Sequence, residues 1–348
     1  MNKKSLKDIA WDVSEDTYRA DSALSYSILA RYEREGFNNL GKLFDRIDTP
    51  SLVFGSAVDS IITGGDTEFK QRFLVAEFPP IADSIVKVVK SIFNNYKESY
   101  KSLMEVPDTL IIKETENQSY QLNWKPETRA RVIKEKGSRY YYILFTAKDK
   151  TILNTQTYTD VCKAVNALKE SDSTKRYFAD NNPFDNIERY YQLKFKSSYA
   201  NISYRCMADL LIVDYNKKIV FPVDLKTSSH TEWDFYKSFV DWNYQIQARL
   251  YWRIIRDNMN KDSYFKDFDL ADYKFIVVNR KTLTPLVWNC SFTQAFGTLK
   301  YGKNNQIEFR DPYDIGQELY KYLSTQAKVP NNIYTRSSND LIAWLKTL

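Results

Sequence analysis

Apolar residues in the first hundred positions recur every three or four residues, which is the period of an amphipathic α-helix. Hydroxyl side chains precede the first such stretch, as is typical of a capped helix. The Gly64–Gly65 pair follows the second, where glycine readily takes the conformation that ends a helix. A helical N-terminal part is therefore predicted over 1–100. Its helices are predicted over residues 21–32, 51–62 and 85–96.

The middle of the chain changes character twice. Residues 101–155 are irregular and polar apart from a strand-like aromatic run at 140–145, and we expect this stretch to be an insertion. A helix predicted over 157–178 follows, and then apolar and polar residues alternate, which is the period of a β-strand. Consecutive strands are predicted over residues 190–195, 202–214 and 219–225.

A long helix over 242–258 and a strand over 273–278 complete the predicted core, which spans residues 156–280. Helices first, then a run of strands, then a helix and another strand favour a mixed α/β (α+β) fold. We expect a single domain over 1–348, since one elaborated core can bury this length of chain. Residues 281–348 are predicted to be a C-terminal extension, and the sequence assigns them no role.

Composition excludes several chemistries. The 348 residues include one histidine, His230, and three cysteines that lie far apart, Cys162, Cys206 and Cys290. A two-histidine metal site, a four-cysteine zinc site and a disulfide framework are therefore excluded within one chain. Any metal would have to be held by carboxylates. The formal net charge of +6 is compatible with a nucleic-acid partner, but it is weak evidence for one.

Hydrophobic residues make up 43% of the chain and charged residues 27%, which is the balance of an ordinary globular protein. No apolar run reaches the roughly 18 to 20 residues that a membrane-spanning helix needs. The first residues contain no apolar stretch of the kind found in secretion signals. We therefore expect a cytoplasmic protein with no membrane partner.

Two carboxylates and a lysine are predicted to meet where two strands pair. Asp224 and Lys226 are two residues apart on one strand, so their side chains project from the same face of the sheet. Asp209 lies on the preceding strand, and a hairpin turn at 216–218 brings it across to them. Carboxylate oxygens are the ligands that Mg²⁺ prefers, and a lysine beside the metal can position a water molecule for attack on a phosphate. The sequence therefore predicts a magnesium site on this strand pair.

These residues, together with the helix that follows, resemble the PD-(D/E)XK nuclease superfamily, in particular its RecB-like and RecE-like (exodeoxyribonuclease VIII-like) exonucleases. That group has an Asp, then Asp-x-Lys-Thr, then a helix with Gln-x-x-x-Tyr, in this order. Asp209, residues 224–227, Gln247 and Tyr251 match these elements. Gln247 and Tyr251 are four apart on a helix and are therefore neighbours on one face. The apolar stripe of the same helix is predicted to face the core, and it consists of Ile246, Leu250 and Ile254.

The chain departs from the family pattern at two positions. Residues 54–59 resemble the family's Phe-Gly-x-Ala-x-His element, but Asp59 stands where the family has His. An aspartate can still bind Mg²⁺ or Mn²⁺ through oxygen. The family also tends to carry a Glu on the strand before the first Asp. Gln192 lies nearest that position, and Glu188, slightly earlier, is the alternative. The resemblance covers about residues 22–256.

The resemblance implies a restriction-endonuclease-like core, which is a central mixed sheet flanked by helices. It also implies hydrolysis of DNA phosphodiester bonds with Mg²⁺, or alternatively Mn²⁺. The metal would be held by Asp209, Asp224, the Leu225 carbonyl and Asp59, with Lys226 beside the nucleophile. The catalytic residues that the resemblance implies are Asp209, Asp224, Lys226, Gln247 and Tyr251. Further DNA contacts are expected from Arg31, Arg205, Thr227 and Ser228.

The RecE-like similarity favours digestion of one strand of linear duplex DNA. Such enzymes are often phage-encoded, act in recombination with a single-strand annealing protein, and form ring-shaped homo-oligomers. The resemblance therefore implies DNA processing of this kind, in the host cytoplasm if the chain is phage-encoded.

Two other interpretations stay open at this point. The departures at Asp59 and Gln192 are compatible with a DNA-binding protein on the same fold that has lost catalysis. The other alternative is an endonuclease or an RNA-directed nuclease, which would differ in loops that a single sequence does not interpret. Retention of Asp209, Asp224 and Lys226 together favours an active enzyme over the first alternative.

Overall fold

The computed structural model describes residues 3–45, 49–182, 184 and 186–324. These residues divide into two compact units. The larger comprises the described residues up to 49 and from 166 onward, and the smaller comprises residues 50–165, which include the predicted insertion. The single-domain organisation stays a prediction. Among the described residues, no helix is both long and apolar enough to cross a membrane.

Helices dominate the first 170 residues, and strands dominate the rest of the described chain. The helices are α1 (Glu15–Ala20), α2 (Tyr26–Glu35), α3 (Pro50–Arg72), α4 (Asp83–Tyr96), α5 (Asp108–Asn117), α6 (Pro126–Ala147), α7 (Thr155–Glu170), α8 (Phe235–Asp241), α9 (Tyr244–Lys261) and α10 (Pro312–Ser324). The strands are β1 (Phe73–Val75), β2 (Thr151–Leu153), β3 (Ile187–Tyr199), β4 (Ile202–Asp214), β5 (Ile219–Ser228), β6 (Asp269–Leu270), β7 (Lys274–Asn279), β8 (Pro285–Asn289), β9 (Leu299–Tyr301) and β10 (Ile307–Phe309).

A mixed sheet forms the centre of the larger unit. Its strands lie in the order β3-β4-β5-β7-β8, and β6 pairs with β5. β3, β4 and β5 are antiparallel neighbours, as expected for consecutive strands joined by short turns. β5 and β7 are parallel, and β8 returns antiparallel to β7. A parallel pair needs a crossover connection, which α8 and α9 provide.

Helices cover this sheet. α9 packs on β3 and β4, and its predicted stripe of Ile246, Leu250 and Ile254 is fully buried. α2 and α10 pack in turn on α9. Fully burying one such side chain contributes about 1.5 to 3 kcal/mol, so the stripe is enough to fix α9 on the sheet. The fold class is confirmed as mixed α/β with a central mixed sheet flanked by helices.

The smaller unit is mainly helical. α4, α5 and α6 pack together around a core that includes Ile85, Val88, Ile111 and Ile133. β1 and β2 of the same unit form a short parallel pair. α3 consists of two helical segments that meet at Gly65, whose φ of 65° and ψ of −161° are not helical. The predicted end of the first helix at this glycine pair is therefore confirmed, and a second helical segment follows it.

The strand predicted at 140–145 is wrong, because these residues lie inside α6. Tyr140, Tyr141 and Ile143 are buried while Tyr142 is exposed. The aromatic side chains pack into the same core as α4. The strand preference of aromatic residues is weak, and burial against a neighbouring helix outweighs it.

The C-terminal extension, to which the sequence assigns no role, is tied to α9. Asp311 accepts hydrogen bonds from Arg249 at 3.1 Å and from Arg253 at 2.7 and 2.8 Å. It also accepts from the backbone N–H groups of Gly297 and Tyr313. All three charged side chains of this Asp311 network are buried. Burial alone would raise the pKa of Asp311, but the hydrogen bond and charge of Arg253 lower it below its ordinary value.

Asp311→Asn is therefore expected to destabilise the protein by about 3 to 5 kcal/mol, because it leaves two buried guanidinium groups without a counter-charge. Denaturant unfolding at pH 7 measures this difference. Asp257→Asn is the matched control. Asp257 forms an exposed ion pair with Lys261 within α9, and such a pair contributes under about 1 kcal/mol.

The difference between wild type and Asp311→Asn should also depend on pH. A lowered pKa in the folded state stabilises the protein above the unfolded pKa of about 4, and this contribution is lost as the pH falls through the folded pKa. The two proteins should therefore converge in stability only under acidic conditions. A cost for Asp311→Asn no larger than that for Asp257→Asn would contradict a stabilising role for the network.

Candidate active site

β5 brings Asp224 and Lys226 together on one face of the sheet, as predicted. Asp224 is 1% exposed, at the centre of the strand. The ammonium group of Lys226 donates a hydrogen bond to Asp224 Oδ2 and forms an ion pair with it. The Lys226 side chain keeps 18% exposure. One buried carboxylate and one partly accessible cation therefore lie side by side.

The sheet opens around Asp209. The β4–β5 ladder ends at the pair of Leu210 and Val223, one residue before Asp209 would face Asp224. Asp209 bridges this gap with its side chain, because its Oδ2 accepts a hydrogen bond from the N–H of Leu225 at 2.9 Å. The carboxylate thus replaces a backbone carbonyl in linking the two strands. The opening brings Asp209 to the strand that carries Asp224 and Lys226.

The ladder on the other side of β4 is also interrupted here. Tyr191 pairs with Leu210 and Leu193 with Ala208, and the register of this ladder is interrupted between these pairs, at Gln192. Gln192 has a φ of 56°, which is uncommon for a non-glycine residue and costs about 1 to 3 kcal/mol. The distortion lies directly across from Asp209. Sequence periodicity could not have shown it, because the residue count along both strands is regular.

α9 supplies the third element of the site. The Nε2 atom of Gln247 donates a hydrogen bond to Asp224 Oδ1, so both oxygens of this carboxylate are held. Gln247 is buried, and its Oε1 atom has no hydrogen-bond partner within the described part of the chain. Tyr251 is buried one turn further along the helix. Of the two helix residues that the resemblance implies are catalytic, Gln247 contacts the carboxylate strand directly.

Lys226 is protonated at neutral pH. Burial by itself lowers the pKa of this ammonium group, but the negative charge of Asp224 raises it most strongly in the opposite direction, and Tyr244 and Asp209 add to this. The pKa therefore lies above its ordinary value. The ammonium group also lies 5.2 Å from the Tyr244 ring centroid and 5.7 Å from that of Phe275, where aromatic faces stabilise a cation.

Glu188 is not brought to this site. Its register partner on β4 is Val213, four residues from Asp209, which corresponds to about 14 Å along a strand. Its carboxylate pairs with Lys3 and accepts hydrogen bonds from Tyr190 and Tyr215. The structure therefore does not place Glu188 next to Asp209. Gln192 occupies the position opposite Asp209.

Asp59 lies on α3, in the smaller unit. Its role as a metal ligand stays a prediction.

The predicted arginine contacts to DNA are engaged within the protein. Arg31 pairs with Glu35 and donates to the backbone carbonyls of Lys42 and Asp45. Arg205 is buried, stacks on Tyr18 and donates to two carbonyls of α1. Both guanidinium groups thus hold helices in place, so neither is proposed as a DNA contact.

The end of β5 is anchored to α8. Ser228 is buried, and its hydroxyl is 3.2 Å from that of Ser238. His230 is 2.8 Å from the same Ser238 hydroxyl through Nδ1. Thr227 is half-buried on β5. A role of Thr227 or Ser228 in binding phosphate stays a prediction.

The donor set suits a hard divalent cation. Mg²⁺ is commonly bound through one or two carboxylates, with water and substrate phosphate completing its shell. Among the described residues, no cluster of three or more His, Cys, Asp and Glu side chains is placed to hold a metal ion. A cation would therefore depend on Asp209 and Asp224. The unpartnered Oε1 atom of Gln247 is a further buried oxygen next to Asp224.

Sequence reasoning missed Tyr273, which lies beside this site. It directly precedes β7, and its ring lies 6.2 Å from that of Tyr251. The alternation of the predicted strand could have assigned it a face. Only the parallel pairing of β7 with β5 shows that this face is the one carrying Asp224.

Comparisons with known proteins do not assign the chain to a family. No protein-family model matches the chain. No curated protein matches it in sequence. Among solved structures it is similar to the crystal structure of a putative exonuclease from Eubacterium rectale, with a TM-score of 0.40 and 10% identity over 90% of this chain and 84% of that one. The function proposed for the chain therefore depends on its own residues.

Lys226→Met is expected to destabilise the protein by about 3 kcal/mol without divalent cations, because Asp224 then loses its counter-charge while buried. The double variant Asp224→Asn/Lys226→Met should recover most of this loss, since no unpaired charge is left. Urea unfolding of the three proteins measures both effects. Equal destabilisation of the single and double variants would show that the ion pair is not what holds Asp224.

Proposed function

We propose that the protein is a metal-dependent nuclease that hydrolyses phosphodiester bonds. The observation that carries this proposal is the convergence of Asp209 and Asp224 at an opening of the sheet, with a protonated Lys226 on the same strand. Buried charged groups are expensive to maintain, and carboxylates placed together beside a lysine match what a cation-assisted phosphate reaction requires. The order of motifs shared with the PD-(D/E)XK superfamily supports the same conclusion.

Asp209 and Asp224 are proposed to hold Mg²⁺ or Mn²⁺, together with the Leu225 carbonyl. When bound, such a cation supplies neutralisation of phosphate charge and a lower pKa for an attacking water molecule. The Leu225 N–H fixes the orientation of Asp209, and Gln247 fixes that of Asp224. Carboxylates held in this way lose less conformational freedom when a cation binds.

Lys226 is proposed to act on the substrate phosphate. A protonated lysine cannot accept a proton from water, so it would contribute positive charge and hydrogen-bond donors to the phosphate oxygens. The Lys226 side chain is 18% exposed, and Asp224 holds its ammonium group in place before the substrate arrives. Tyr251 is proposed to support Gln247 from the next turn of α9.

Linear duplex DNA is the proposed substrate, and exonucleolytic digestion is the proposed mode. The likeness of the motifs to RecB-like and RecE-like exonucleases supports both statements. The same likeness supports phage-type recombination or DNA processing in the cytoplasm, a single-strand annealing partner and a homo-oligomer as proposals. The catalytically impaired DNA-binding protein, the endonuclease and the RNA-directed nuclease are then outcomes that a cleavage assay distinguishes.

With Mg²⁺ or Mn²⁺, the purified protein should degrade end-labelled linear duplex DNA and leave closed circular DNA intact. Lys226→Ala should lower the rate by at least about 100-fold, because one preorganised charge at the phosphate is lost. EDTA should abolish cleavage. Gel analysis of time courses on both DNAs measures these effects.

Lys261→Ala is the matched control for this assay, since Lys261 forms an exposed ion pair on α9. It should cut at the wild-type rate. DNA that is bound but uncut with every metal would overturn catalysis and favour the binding protein. Cleavage of circular DNA would favour an endonuclease, and cleavage confined to RNA would favour the RNA-directed enzyme.

Cation binding should also stabilise the folded protein. A cation at a hundred times its Kd adds about 2.7 kcal/mol by mass action, so Mn²⁺ should raise the unfolding midpoint of wild type. Asp209→Asn and Asp224→Asn should lose most of this increase, whereas Asp257→Asn should keep it. A metal-induced increase that survives in both site variants would place the cation elsewhere.

A further inference from the structure

Tyr273 is fully buried beside the candidate site. Its backbone is fixed on both sides, because its N–H donates to Thr293 Oγ1 at 3.2 Å and its carbonyl accepts from Cys290 at 2.9 Å. Its relative exposure is 0%. The ring therefore has one well-defined place in the core, set by residues of the C-terminal segment.

The Tyr273 side chain lies on the face of the sheet that carries Asp224. In the β5–β7 register Asp224 pairs with Phe275, and side chains two residues apart on a strand share a face. The Tyr273 ring centroid lies 5.3 Å from that of Phe275 and 6.2 Å from that of Tyr251 on α9. Tyr273 thus occupies the layer between β7 and α9, where Gln247 contacts Asp224.

The Tyr273 hydroxyl has no hydrogen-bond partner within the described structure. A phenylalanine would fill the same space without burying an unsatisfied hydroxyl, and unsatisfied buried groups are rare enough to need an explanation. Burial is the main cause that raises the pKa of Tyr273, and the negative charges of Asp224 and Asp209 raise it further. The hydroxyl therefore keeps its proton and can act as a donor.

We propose that Tyr273 is a positioning residue for the cation site, with its hydroxyl donating through one water molecule to the carboxylates of Asp209 and Asp224. This inference rests on the proposed nuclease function. Lys226 and Gln247 each occupy one oxygen of Asp224, but a carboxylate oxygen can accept more than one hydrogen bond. Partners of this kind hold metal-binding side chains in orientation, and their loss typically weakens metal binding 10- to 100-fold.

Tyr204 offers a matched control. It is also fully buried, and its hydroxyl likewise lacks a partner in the described part of the chain. Its ring lies 5.0 Å from Tyr313, and its hydroxyl lies against Gly316 of α10. Tyr204 is five residues from Asp209 on β4, about 17 Å along the strand. Removing its hydroxyl is the same chemical change outside the site.

Tyr204→Phe should keep or raise the unfolding midpoint without cations, because it removes an unsatisfied buried hydroxyl. Tyr273→Phe should not raise it, because the hydroxyl it removes is bonded through the water molecule. Only Tyr273→Phe should weaken Mn²⁺ binding, by about tenfold, which equals about 1.4 kcal/mol. Isothermal titration of the full-length proteins with Mn²⁺ measures the affinities, and thermal unfolding in EDTA measures the midpoints.

Unchanged Mn²⁺ affinity in Tyr273→Phe, or the same loss in both variants, would overturn the role of Tyr273 while leaving the nuclease proposal intact. A wild type that binds no Mn²⁺ would instead contradict the proposed function, and the inference with it. The two failures are distinguishable because the second is visible in the wild-type titration alone.

Discussion

The structure around the candidate site depends on keeping one carboxylate, Asp224, inside the protein. A buried ion is tolerated only when other groups satisfy it, and here Lys226 and Gln247 each hold one oxygen. Lys226 comes from the same strand, whereas Gln247 comes from α9. The position of α9 on the sheet is therefore part of the site, and the Asp311 network fixes a different face of that helix through Arg249 and Arg253.

Much of this arrangement could be predicted because it depends on local periodicity. Asp224 and Lys226 are two residues apart, which predicted that they share one face of the sheet. The turn at 216–218 predicted that β4 and β5 are neighbours, and they are. The stripe on α9 was predicted from its helical period, and its burial is confirmed. Each of these inferences needs only residues close together in the sequence.

The remainder depends on contacts between distant segments. The aromatic run at 140–145 is helical because α4 covers it, and no pattern within the run records that neighbour. The ladder opening at Asp209 and the left-handed Gln192 arise from how three strands meet. Tyr273 and Asp311 acquire their surroundings only when the segments after residue 270 return to the sheet and to α9. The unsatisfied Oε1 atom of Gln247 and the left-handed backbone of Gln192 lie next to the two carboxylates, as is common where a site is maintained at some loss of stability.

The central claim is that Asp209 and Asp224 bind one divalent cation together. A crystal of the protein grown with Mn²⁺, examined by anomalous diffraction at the manganese absorption edge, tests it most directly. The account predicts one strong peak in contact with carboxylate oxygens of both residues. A peak that contacts neither Asp209 nor Asp224 would contradict it. The absence of a peak at a Mn²⁺ concentration well above that used in the isothermal titration would contradict it as well.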